Sequence, residues 1–274
     1  MRKAQRLDFA IAWTALCLTP ALACAAPAPV HHVALPADPL GSPMWAYHAA
    51  RLLSDAPVVF DPRVRLILPT IAENQHQFPV TVDARSIPGV QRILVYADLN
   101  PLTLAVDYRP LHAEPFLSLR IKLDQRTPVR AAVLAADGKW HVGSAWVDAA
   151  GGGCSAPPVG RVKGDWAQHL GEIRGAAWRD GTATRLRFTV RHPMDTGLVE
   201  NIAAYNLETM HVRGADGVDL ARMEIHGSVS EDPAFTLLLH PTKDGPLAIA
   251  LRDSDGREFT ATIGPQSRPT QPHD

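Results

Sequence analysis

From Phe116 to Asp124 the chain alternates without a break: Leu117, Leu119, Ile121 and Leu123 are apolar, and Ser118, Arg120 and Lys122 between them are polar. A period of two puts the first set on one face of a strand and the second on the other, so the segment reads as a half-buried β-strand. The same period predicts strands at Val64–Leu68, Pro79–Ala84, Arg92–Leu99, Leu102–Tyr108, Val129–Ala135 and Lys139–Val147. Turn signals separate them, among them Pro88-Gly89, Asn100-Pro101 and Asp137-Gly138. Only Met44–Leu53 departs from the pattern, with Trp45, His48 and Leu52 at the spacing of a short helix. Many short strands with regular turns predict a sandwich.

Between Ala149 and Gly164 the alternation stops, and the composition changes to Ala-Ala-Gly-Gly-Gly-Cys-Ser-Ala-Pro-Pro. A second β pattern then begins, clearest where Leu186, Phe188 and Val190 alternate with Arg185, Arg187, Thr189 and Arg191. Further strands are predicted at Ala204–Val212, Asp219–Gly227, Phe235–His240, Pro246–Arg252 and Glu258–Ile263, with hairpin turns at Gly214–Gly217 and Asp253–Gly256. The predicted organisation is all-β: two β-sandwich domains, 44–150 and 165–264, joined by a Gly/Pro-rich linker over 151–164. Residues 26–43, rich in Pro and Ala with His31 and His32 adjacent, read as a flexible leader, and 265–274 as a disordered tail. A length of 274 residues at 46% hydrophobic content supplies apolar material for two cores.

The N-terminus reads as an export signal over 1–25. Arg2, Lys3 and Arg6 form a basic region, Phe9–Leu18 an apolar one, and the small residues Ala21–Ala26 a cleavage region. The apolar run is too short to span a bilayer, so a periplasmic protein without a membrane span is expected. Cleavage after Ala25 removes Cys17 and Cys24 and leaves Cys154 as the sole thiol, with no intramolecular disulfide possible. Cleavage after Ala23 would instead leave Cys24 first, the lipoprotein alternative, although Ala21 stands where a lipobox normally has leucine. With 27 basic against 28 acidic residues the net charge is −1, which gives no field for nucleic acid.

Cys154 is the residue on which chemistry is expected to centre. Gly151, Gly152 and Gly153 before it leave the backbone almost unrestricted, so the sequence predicts a mobile, exposed arm. An exposed thiol with no cationic neighbour has an ordinary pKa of about 8.5 and is a few per cent thiolate at neutral pH. That suits a cargo-bearing thiol better than a catalytic nucleophile, which needs a base held within about 3 Å in a rigid frame. The plain alternative is a linker with an incidental cysteine. No Cys/His spacing matches a zinc site and no glycine-rich loop opens a helix, so no metal, cofactor or catalytic residue is assigned.

The run Val142-Gly143-Ser144-Ala145-Trp146-Val147-Asp148-Ala149-Ala150-Gly151-Gly152-Gly153-Cys154 resembles the end of SoxY, the thiosulfate-oxidation carrier subunit whose Gly-Gly-Cys-Gly-Gly arm holds sulfur intermediates covalently. The second half resembles its partner SoxZ. The matching stretches are Arg191-His192-Pro193-Met194-Asp195-Thr196-Gly197, Gly227-Ser228-Val229-Ser230-Glu231-Asp232-Pro233-Ala234-Phe235 and Asp253-Ser254-Asp255-Gly256-Arg257-Glu258-Phe259. In this order in one chain they resemble the fused SoxYZ-like carriers associated with quinoprotein dehydrogenases.

The resemblance implies two immunoglobulin-like sandwiches, Cys154 as the covalent attachment residue, and Gly151–Gly153 as its arm. It also implies partners among periplasmic sulfur-oxidation-type enzymes or a quinoprotein dehydrogenase system. His192 is read as a turn or strand-end residue, and Ser228, Ser230 and Glu231 as turn or interface residues. His141, His211, His226 and His240 are read as structural imidazoles. One departure stands out: here Cys154 is followed by Ser155-Ala156-Pro157-Pro158 and a continuing chain, so the arm is tethered at both ends. Two other classes remain open, a docking module in which Cys154 is incidental and a thiol enzyme with a base beside it.

Overall fold

The computed structural model describes residues 34–54, 56–157 and 166–266. The export signal, the start of the leader, part of the linker and the end of the tail lie outside them. One short helix, α1 (Trp45–Leu52), precedes nine strands of the first half: β1 (Val58–Phe60), β2 (Arg65–Ile67), β3 (Ile71–Ala72), β4 (Phe78–Asp83), β5 (Val90–Ala97), β6 (Leu104–Pro110), β7 (Ala113–Ile121), β8 (Thr127–Ala135) and β9 (Trp140–Ala149). After a single turn of 3-10 helix at Trp166–Gln168, the second half contributes β10 (Ile173–Asp180), β11 (Ala183–Val190), β12 (Leu207–Arg213), β13 (Asp219–Ile225), β14 (Ala234–Leu239), β15 (Leu247–Asp253) and β16 (Glu258–Ile263).

Each half is an immunoglobulin-like sandwich, and the fold is all-β as the alternation predicts. The strands of β7 and β11 keep the expected faces: Leu117, Leu119 and Ile121, and likewise Leu186, Phe188 and Val190, are buried. Each such side chain, fully buried, is worth roughly 1.5–3 kcal/mol.

The halves are not separate bodies on a string. One sheet runs β1-β9-β8-β5-β6-β13-β12-β15-β16, with β3 also paired to β9, and the other runs β10-β11-β14-β7-β4-β2. The antiparallel seams β6/β13, with Met223 opposite Tyr108, and β7/β14, with Leu237 opposite Leu117, carry both sheets across from one half to the other. A single apolar core follows, in which Leu117, Ile121 and Val106 belong to the same cluster as Leu186, Ile225 and Phe235. The join expected of the Gly/Pro-rich linker is therefore made by strand ladders, since each sandwich would otherwise leave unpaired edge strands.

The leader is also more ordered than its composition suggests. Its described part, 34–43, is pinned by Asp38, whose carboxylate accepts from both terminal nitrogens of Arg130 at 2.9 and 2.7 Å. Trp45 and Trp146 donate their indole N–H groups to the Pro36 and Leu40 carbonyls, each at 3.0 Å. Proline and alanine supply no side-chain signal for this; the partners are backbone oxygens and one aspartate. On the outer face of the larger sheet Trp45 and Ala49 of α1, and Leu53 just after it, pack onto Leu94, Tyr96, Ala132, Trp140 and Val142, which is why β8 is buried on both faces. At the other end, Gln266 donates its amide to the Ala177 carbonyl at 2.7 Å, so the tail is held at least this far. No helix of the described residues is long and apolar enough to cross a membrane.

Candidate functional site

Cys154 is not on an exposed arm in this structure. It is 1% exposed, and Gly153 before it is buried as well. The correction has a specific cause. The three glycines allow the chain to lie flat against the strand end that follows β7, where a side chain has no room. A Cβ on Gly153 would stand 2.4 Å from both the Gln75 and the Leu123 carbonyl oxygens. Gly151 and Gly152 adopt φ of 111° and 85°, a region that side chains rarely adopt. Conformational freedom in the sequence is thus used to reach one docked conformation.

A ladder of hydrogen bonds holds the arm down. The Gly153 amide donates to the Leu123 carbonyl at 3.1 Å, and Asp124 Oδ1 accepts from the amides of Cys154 and Ser155 at 3.0 and 3.1 Å and from the Ser155 hydroxyl at 2.9 Å. Gln75 Nε2 donates to the Gly151 carbonyl at 2.7 Å. From the second half, the Thr196 hydroxyl donates to the Cys154 carbonyl at 2.7 Å. The thiol therefore sits at the seam between the two sandwiches.

Beneath it lies Lys122, one residue past the end of β7 and 3% exposed, although the sequence alternation groups it with the polar face. Its ammonium donates to the Met194 carbonyl and, at 3.0 Å, to the Gly227 carbonyl, both in the second half. Met194 adopts φ of 50°, a left-handed conformation costing about 1 kcal/mol that directs the chain through this contact. Burial pulls the Lys122 pKa down to about 8, against the opposing charges of Cys154, Asp195 and Glu231. The same burial pushes the Cys154 thiol up to about 12, with Lys122 drawing it down and Asp124 pushing it further up. Docked, the sulfur is a protonated thiol and a poor nucleophile.

The cavity beside the thiol measures about 10 Å³ and is lined by His76, Lys122 and Gly153 on one side and by Asp195, Thr196, Val199, Ile202 and Glu231 on the other. That volume is at the lower bound for holding one water. Its second wall draws on two of the stretches that carry the SoxZ resemblance, Asp195 and Thr196 from the first and Glu231 from the second, with Val199 and Ile202 from the loop after the first. The third supports them at a distance. Asp253 accepts from the Tyr205 hydroxyl at 2.7 Å, and Tyr205 stacks on His192 at 4.6 Å between ring centroids.

Ser228 and Ser230 bind the first half through backbone and hydroxyl. The Lys122 amide donates to the Ser228 carbonyl at 2.7 Å, the Ser228 hydroxyl to the Leu104 carbonyl at 2.9 Å, and the Ser230 amide to the Arg120 carbonyl at 3.0 Å. They are interface residues; Glu231 lies at the site itself. His141 pairs with Asp61 and His240 with Glu114, each at 2.8 Å and away from Cys154. Burial lowers the pKa of His226. Sequence reading missed Lys122, Asp124, Asp195 and Thr196. The last two were legible as parts of a recognised stretch, whereas Lys122 and Asp124 carry no local signal. Among the described residues no group of three or more His, Cys, Asp or Glu side chains is placed to hold a metal.

Comparison with known proteins accounts for this seam. A family model described as sulfur oxidation protein SoxY matches residues 49–154, ending at the buried cysteine, and one described as sulphur oxidation protein SoxZ matches residues 173–264. The chain is a fused SoxYZ-like protein.

Among solved structures it is similar to the sulfur carrier protein SoxY from Chlorobium limicola f thiosulfatophilum, with 28% identity over 38% of this chain and 93% of that one, at a TM-score of 0.34. It also matches a β-glycosidase from Bacteroides vulgatus, at 12% identity over 80% of this chain and 26% of that one, at a TM-score of 0.24. A search of curated proteins gave no match. The two domains indicate a carrier protein of sulfur oxidation, with the SoxY-like half contributing the cysteine and the SoxZ-like half the wall that covers it.

Proposed function

We propose that this SoxYZ-like protein is an exported, periplasmic carrier that holds a sulfur-containing substrate or intermediate covalently on Cys154, as a persulfide or thiosulfonate-type adduct, while partner enzymes act on it. It turns over no substrate itself. Its partners are sulfur-oxidation enzymes or a quinoprotein dehydrogenase system, and Gly151–Gly153 form the arm that presents the sulfur. The observation that carries this reading is convergence: the residue ending the SoxY match is enclosed by stretches from the SoxZ match, so both halves are built around one thiol. A docked thiol near pKa 12 is chemically quiet, so loading takes place after the arm has left its seat and the thiol has returned to an ordinary pKa of about 8.5.

Intact-mass measurement on protein purified from its native compartment, before and after reductant, tests the reading. A reductant-labile mass increase on Cys154 is expected. A Cys154 that is always unmodified, and that resists alkylation even when the arm is released, would contradict it.

The burial of Cys154 favours one second reading, a docking module in which the cysteine is a small apolar filler, a common role for buried cysteine. The Cys154→Ala variant separates the two: a carrier loses its physiological function, and a docking module keeps it.

A further inference from the structure

The seat of the arm fits a thiol and little else. Beyond Sγ there is a cavity of about 10 Å³, room for about one water at most. Apolar Val199 and Ile202 and the carboxyl groups of Asp195 and Glu231 contribute to its lining. Lys122, the cation of the described lining, already directs its ammonium at the Met194 and Gly227 carbonyls. An adduct that adds a second sulfur and a sulfonate exceeds the space. The docked arm has no slack to absorb this, because Gly153 lies between the Gln75 and Leu123 carbonyls without room for a methyl group.

We propose that the seat is a cargo sensor: it holds Cys154 only as the free thiol, and attachment of a sulfonate-bearing sulfur drives the arm out, so that the loaded carrier presents its cargo and the emptied one conceals its thiol. The physical basis is differential affinity of one pocket for two chemical states of the same residue. It rests on the reading of Cys154 as the attachment residue and adds the regulation of that site. Three residues of the second wall, Thr196, Val199 and Ile202, lie in a loop whose residues Gly197, Leu198, Glu200 and Asn201 are exposed, so the SoxZ-like half is the part that reads the cargo.

The adduct can be made without any partner enzyme. The Cys154 thiolate attacks the central disulfide of tetrathionate, an Sγ–S bond forms, the central S–S bond breaks, thiosulfate leaves with the electron pair, and the thiol proton goes to solvent. Amide hydrogen exchange is then compared for the full chain with free thiol, for its tetrathionate adduct, and for tetrathionate-treated Cys154→Ser. The amides of Gly153, Cys154 and Ser155 should exchange at least about tenfold faster in the adduct, with strands β5 and β8 unchanged, and Cys154→Ser should keep its protection. Unchanged protection in the adduct overturns the proposal, as does complete failure of tetrathionate to modify the folded protein, which would mean that the arm does not open. Because the adduct is synthetic, failure of the carrier reading shows in the native mass, whereas failure of the sensor shows in the tetrathionate reaction or in exchange.

Discussion

Two cations are buried in the first half, and the protein treats them differently. Arg130 has a side chain of 0% exposure between Asp38 and Asp98, with five hydrogen bonds to the two carboxylates, and it lies over the Trp45 ring at 4.7 Å. Burial opposes its charge, yet the hydrogen bonds to Asp98 and Asp38 hold its pKa above the ordinary arginine value. Lys122 is just as buried, but the hydrogen bonds of its ammonium go to carbonyl dipoles of the second half, and its pKa falls to about 8. A charge matched by opposite charges is a structural fastener. One whose hydrogen bonds go to dipoles keeps more of its desolvation cost.

That contrast orders the expected effects. Arg130→Ala strands two buried aspartates and should cost about 3–5 kcal/mol, read as a fall in the urea midpoint with an unchanged m-value. Lys122→Met strands two carbonyls but also removes a costly buried charge, so about 1–2 kcal/mol is expected. If the lysine variant proved the more damaging of the two, the distinction between a charge held by charges and one held by dipoles would be wrong.

The pH dependence sharpens the same comparison. The Lys122 pKa is lower folded than unfolded, so between about pH 8 and the unfolded value of 10.5 the unfolded chain binds more protons, and stability rises with pH. Cys154 works in the opposite sense, its pKa being raised, and its contribution is lost as pH climbs from about 9 towards 12. Between pH 8 and 9 the wild type should therefore gain stability with a slope of up to about 1.4 kcal/mol per pH unit, a gain that Lys122→Met lacks. Chemical denaturation at half-unit intervals resolves it. Gly153→Ala, which removes the arm from above Lys122, should lower the rise by letting water reach the ammonium. It should also speed Cys154 alkylation about tenfold with little change in the core.

Where sequence reading succeeded and failed follows the range of the forces involved. Alternation is a local signal, and β7 and β11 stand where it put them. β10 was missed because Gly175, Ala176 and Ala177 give Ile173–Asp180 no alternation; it is fixed by pairing with β11. β1 and β3, of three and two residues, exist through parallel pairing to β9. The sheets shared between the halves depend on contacts more than a hundred residues apart, as between Tyr108 and Met223. At the site, the identity of Cys154 was legible and its environment was not. A triple glycine permits both a swinging arm and a docked one, and the choice is made by Gln75, Leu123 and Asp124 together with Thr196.

The account stands on Cys154 being seated between the two halves, and its alkylation rate tests that most directly. With iodoacetamide at pH 8, the native wild-type thiol should react at least about tenfold more slowly than the same protein in denaturing urea, with Gly153→Ala lying between them. A native Cys154 that reacts as fast as the unfolded one would contradict the account.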